Sequence, residues 1–111
     1  MGVSTTATVK SSARRLFPDL SLDQVLVELL LERAQKNLIK YRAMARHFKA
    51  RYDQDFETFR RQVLRSEPTF EVEQDYFDWE MAVTGITDME DEIQRLGSLV
   101  HPSSWTRSKP C

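Results

Sequence analysis

The sequence predicts an all-α protein: a long antiparallel helical hairpin with a short corner helix and flexible N- and C-terminal tails. Three observations carry this. Only three glycines and four prolines occur in 111 residues, of which 30% are charged, a balance that favours long helices over sandwiches or barrels. No glycine or proline lies between Ser21 and Glu67. Within that stretch apolar or small residues recur at Val27, Leu31, Ala34, Leu38, Tyr41, Ala45, Phe48 and Tyr52. Their spacing alternates between four and three, which is a heptad seam.

Taken in order, residues 1–20 read as a flexible arm, rich in Ser, Thr and Ala and closed by Pro18. The helical domain spans 21–96. Its first helix starts at Ser21, because Ser21 and Gln24 form a capping box in which each side chain satisfies the other's backbone N–H. Val25, Leu26, Leu29 and Leu30 add a second apolar face to this helix, more than one hairpin needs, and that surplus predicts a homodimer. Glu32 and Lys36 make an i,i+4 pair on its surface. The seam stops at Tyr52, and Asp53 or Asp55 caps a short helix over about 56–65 with Phe56, Phe59 and Val63 as its stripe. Pro68 ends it. A third helix starts near Thr69 or Phe70, with a seam at Val72, Tyr76, Trp79, Val83, Ile86, Met89 or Glu90, Ile93 and Leu96. Gly85 weakens its middle by ~1 kcal/mol. A continuous or kinked helix is preferred to a break capped by Thr87. Residues 97–111, rich in Ser, Pro and Gly, read as a flexible tail.

Length and chemistry bound the function. A chain of 111 residues holds one domain. Its single cysteine, Cys111, cannot make an intramolecular disulfide framework, which points to a reducing cytoplasm. No apolar run approaches the ~18 residues a membrane helix needs. The opening residues match the short N-myristoylation pattern at Gly2, but a plain polar arm explains them as well. His47 and His101 have no cysteine or carboxylate at metal-ligand spacing. There is no phosphate loop and no nucleophile motif. Asp75 and Asp78 have the i,i+3 geometry of a carboxylate site, but no histidine joins them. The reading is therefore no enzyme, no metal and no cofactor.

The net charge of −1 conceals a division. Residues 1–65 carry thirteen basic residues against seven acidic ones, whereas residues 66–96 carry one against ten. Arg33, Lys36, Lys40, Arg42, Arg46, Lys49 and Arg51 follow one another with no acid between them. They fit nucleic-acid phosphates, although no recognition-helix turn, zinc ligand or basic-zipper layout accompanies them. The plainer account is internal complementarity, with the basic end of the first helix beside the acidic start of the third. The acids Glu73, Asp75, Asp78 and Glu80 interleave with Tyr76, Phe77 and Trp79. That mixture suits a surface that docks on a basic protein: aromatics provide anchors and acids provide steering. Core packing is the simpler role for Tyr76 and Trp79, which lie on the seam, and Phe77 lies off it.

Residues 31–38 read Leu-Glu-Arg-Ala-Gln-Lys-Asn-Leu. Tyr41 to Tyr52, Phe56-Glu57-Thr58-Phe59 and Glu73-Gln74-Asp75-Tyr76-Phe77-Asp78-Trp79-Glu80 follow. Over residues 25–83 this resembles small helical antitoxins of bacterial and archaeal toxin–antitoxin pairs, some of them partners of TumE-type toxins. The resemblance implies a protein that binds and neutralises a co-encoded toxin, often an RNase. It does not extend to the two tails or to a DNA-binding fold. A self-associating helical scaffold or adaptor is the alternative from another class, and a nucleic-acid-binding regulator using residues 33–51 ranks behind both. A short, basic, nuclease-like neighbouring reading frame would distinguish the antitoxin from the scaffold.

Overall fold

A computed structural model describes residues 4–100. It contains α1 (Thr5–Leu16), α2 (Leu22–Tyr52), α3 (Phe56–Arg65) and α4 (Phe70–Gly97), with no strand among the described residues. The main contact is between α2 and α4, and α3 closes the corner against α4. The register is antiparallel: Tyr52 meets Asp75, Phe48 meets Trp79, Tyr41 meets Gly85 and Arg42 meets Glu90.

The helix boundaries follow from their caps. The Ser21 N–H donates to Gln24 Oε1 at 2.8 Å and the Gln24 N–H to Ser21 Oγ at 3.2 Å, completing the capping box. Asp53 ends α2 with φ 52° and ψ 43°, a left-handed conformation that aspartate tolerates better than most residues. Of the two candidate caps for α3 the chain uses Asp55, whose Oδ1 accepts the Thr58 N–H at 2.9 Å. These bonds to Thr58 hold the Asp55 carboxyl below the usual range. Thr69 caps α4 through the Val72 N–H, and α4 runs unbroken through Gly85. A Cβ at Gly85 would stand 2.6 Å from the Tyr41 ring, so the glycine permits a close approach of the two helices here. Thr87 caps nothing.

Residues 5–16, expected to belong to a flexible arm, form α1. Ser4 caps it through the Ala7 N–H, Arg14 and Arg15 occupy its last turn, where cations complement the helix dipole, and Pro18 follows its end. It buries no residue of its own, so it has no apolar stripe from which to recognise it. α1 packs back on α2, with Lys10, Ala13 and Arg14 beside Ser21 and Leu22 at its start. Val25 there is only 3% exposed, and at ~100° per residue it lies on the opposite side of α2 from the seam. Part of the apolar face that predicted a dimer is thus occupied within the chain, and Leu26, Leu29 and Leu30 remain exposed. Of the tail expected over 97–111, Gly97 closes α4 and residues 98–100 turn away through the Ser98 N–H to Gln94 carbonyl bond. Residues 101–111 and the Gly2 pattern lie outside the described residues.

Candidate partner-binding surface

The two sides of α4 differ because residues ~100° apart in projection sort by position. Asp75, Tyr76, Trp79, Ala82 and Gly85 are buried. Trp79, 2% exposed, sits among four rings: Phe59 at 5.1 Å, Phe56 at 5.4 Å, Phe48 at 5.9 Å and Tyr52 at 6.3 Å between centroids. Tyr76 stacks on Phe56 at 5.8 Å. With Val63 these residues form the core at the corner of the hairpin.

Three of the seven acidic-aromatic candidates therefore do not lie on a surface. Trp79 and Tyr76 are core residues, in keeping with their seam positions. Asp75 is also buried, at 9% exposure. Its Oδ2 accepts the Tyr52 hydroxyl at 2.5 Å and lies 3.4 Å from Arg51, so its carboxylate serves the hairpin and not a partner. Asp78 is half-buried and accepts Gln74 Nε2 at 3.2 Å. Glu73, Phe77 and Glu80 are exposed as the surface reading requires. Phe77 is 52% exposed despite lying 5.5 Å from the Tyr76 ring.

Phe70 and Met81, 80% and 50% exposed, join this side unanticipated by the sequence pattern. Steps of seven and four place Phe70, Phe77 and Met81 on one outward stripe. That periodicity was legible, but the stronger seam on the other side hid it. Glu73, Glu80 and Asp88 flank the stripe and are exposed.

The basic candidates divide. Arg42 pairs with Glu90 at 2.9 Å, and Arg51 with Glu71 at 2.9 Å as well as with Asp75. Glu71, then Asp75, hold the Arg51 guanidinium more firmly protonated than usual. Internal complementarity thus accounts for two of the seven. Arg33, Lys36, Lys40, Arg46 and Lys49 are exposed and form no ion pair with a described carboxylate.

Tyr52 gives a measurable consequence of the corner. Burial first, then the bond to Asp75, push its phenol up to about 12. The unfolded phenol titrates near ~10. The neutral phenol's contribution is thus complete below about pH 10 and lost as pH rises towards about 12, because the unfolded chain releases a proton that the folded chain retains. Melting temperatures of wild type and Tyr52→Phe should converge over that interval. A difference that stays constant from pH 9 to 12 would contradict the assignment.

Among the described residues no group of His, Cys, Asp and Glu is arranged to hold a metal ion, and no helix is long and apolar enough to cross a membrane. Comparison with protein-family models, curated proteins and solved structures finds no match.

Proposed function

We propose that this chain is a non-catalytic protein-binding module that neutralises a co-encoded toxin, the role implied by the antitoxins it resembles. The outward stripe of α4 supports this reading: Phe77, Phe70 and Met81 stand in water on a helix whose other side has ample apolar burial. Core packing does not explain them. The carboxylates of Glu73, Glu80 and Asp88 beside them favour a basic partner, with the aromatic ring as anchor and the acids steering the encounter. A nucleic-acid-directed toxin such as an RNase has a surface of that sign. A nucleic-acid-binding role for α2 ranks lower, since carboxylates of α4 already engage Arg42 and Arg51.

The test is binding to the product of the adjacent reading frame. Phe77→Ala should weaken it by ~2 kcal/mol, about thirtyfold, without lowering the melting temperature. Charge reversal at Glu73 and Glu80 should slow association and flatten its salt dependence. If affinity and salt dependence both stay unchanged, the stripe is a solvated face and the proposal fails. The homodimer rests on Leu26, Leu29 and Leu30 alone, and a monomeric mass by light scattering would remove it. In that case the scaffold alternative loses its basis too.

A further inference from the structure

The outward side of α4 is indented at one place. Gly85 has no side chain and Thr84 a small one, while Phe77, Met81 and Tyr41 stand around them. Because a Cβ at Gly85 would collide with the Tyr41 ring at 2.6 Å, the glycine is what lets this ring from α2 reach the groove. The depression is shallow and open to solvent, with a volume of about 340 Å³, and Glu80 and Asp88 also line it. Glu80, Thr84 and Asp88 are spaced at i, i+4 and i+8, so they share one edge. Asp88 forms no ion pair among the described residues, and Glu80 forms none within 4 Å, although it lies in the field of the Arg60 guanidinium.

We propose that this groove receives an arginine side chain of a basic protein partner. The inference rests on the reading of α4's outward side as the partner surface and names what that surface selects. Three features of the groove match three properties of such a side chain. Met81 and Phe77 offer apolar surface to the aliphatic stem. The Tyr41 and Phe77 rings line the groove, and aromatic rings attract a planar, weakly hydrated guanidinium. Glu80 and Asp88 supply the opposite charge, and Thr84 leaves room above the helix. A lysine ammonium is compact and strongly hydrated, and stacks less well on a ring. An acidic occupant meets repulsion, and a purely apolar one leaves carboxylates desolvated without a partner.

The experiment is an NMR titration of the ¹⁵N-labelled full chain with three capped tripeptides, Leu-Arg-Leu, Leu-Lys-Leu and Leu-citrulline-Leu. The arginine peptide should shift the Thr84 and Gly85 amides and the Tyr41 ring signals about threefold more than the lysine peptide. The citrulline peptide should shift neither, and the double variant Glu80→Gln, Asp88→Asn should abolish the arginine effect. Equal shifts with arginine and lysine, shifts spread evenly over the acids from Glu71 to Glu92, or no shift at all would each overturn the proposal. The toxin-binding assay separates the two readings. If Phe77→Ala loses the partner while the double variant keeps it, the partner surface stands and the arginine groove does not. Arginine-specific shifts at Gly85 without any binding to the neighbouring gene product leave the groove and remove the antitoxin.

Discussion

Trp79→Ala is expected to lower the free energy of unfolding by about 3–5 kcal/mol, the range for emptying a buried tryptophan site. Four aromatic rings surround the indole, and they come from α2 and from the start and middle of α3. None is free to collapse into the space without breaking its own packing, so the cavity persists and the loss should fall in the upper part of that range. A domain near the lower end of the typical range of about 5–15 kcal/mol would then be partly unfolded at physiological temperature. Urea denaturation monitored by circular dichroism reads this directly. Phe77→Ala, two residues away on the exposed side, should stay within about 0.5 kcal/mol of wild type. A Trp79→Ala loss of less than ~1 kcal/mol would mean that the corner is not the core described above.

Asp75→Ala is expected to cost about 2–3 kcal/mol, because it leaves the Tyr52 hydroxyl without its acceptor in a part-buried site and deprives Arg51 of the more buried of its two carboxylates. Arg51 keeps Glu71 at 2.9 Å, so the guanidinium itself is not stranded. Asp75→Asn, which preserves an acceptor, should recover much of the loss. The double variant Tyr52→Phe, Asp75→Leu should recover more, since removing both members of a buried polar pair is far less costly than removing one. A double-mutant cycle measures this coupling. Additive losses would show that the two groups do not act as a pair.

The parts of the fold that were legible in the sequence are those where a single physical signal decides. The alternating spacing from Val27 to Tyr52 placed α2 against α4, and Ala34, Leu38 and Phe48 from that series are buried. Ser21 and Gln24 marked the start of α2 because a capping box needs both residues at a fixed distance. α1 escaped notice because its stability comes from a serine cap, a basic last turn and docking on α2, none of which leaves an apolar stripe. Among the site residues, Phe77 was separable from Trp79 by its angle around the helix. The burial of Asp75 was not legible, since a lone carboxylate on a seam flank reads as surface until its partners Tyr52 and Arg51, more than twenty residues earlier, are placed beside it. Phe70 and Met81 needed the opposite insight, that a helix can present a second apolar line to water.

The aromatic cluster of Phe48, Phe59, Tyr76 and Trp79 lies wholly at the corner, while the opposite end of the hairpin joins through smaller or more exposed groups such as Ala34 and Leu38 from α2 and half-buried Ile93 and Leu96 from α4. Burial of this kind is not shared evenly along the two long helices, so opening is not either. Amide protons around Phe48 and Trp79 should exchange with solvent only when the whole chain unfolds. Those near Leu26 and Leu96 should exchange through local fraying that leaves the corner intact. The molecule then behaves as tongs with a fixed pivot and loose tips, and the groove beside Gly85 lies between the two, near enough to the pivot to keep its shape while the tips part.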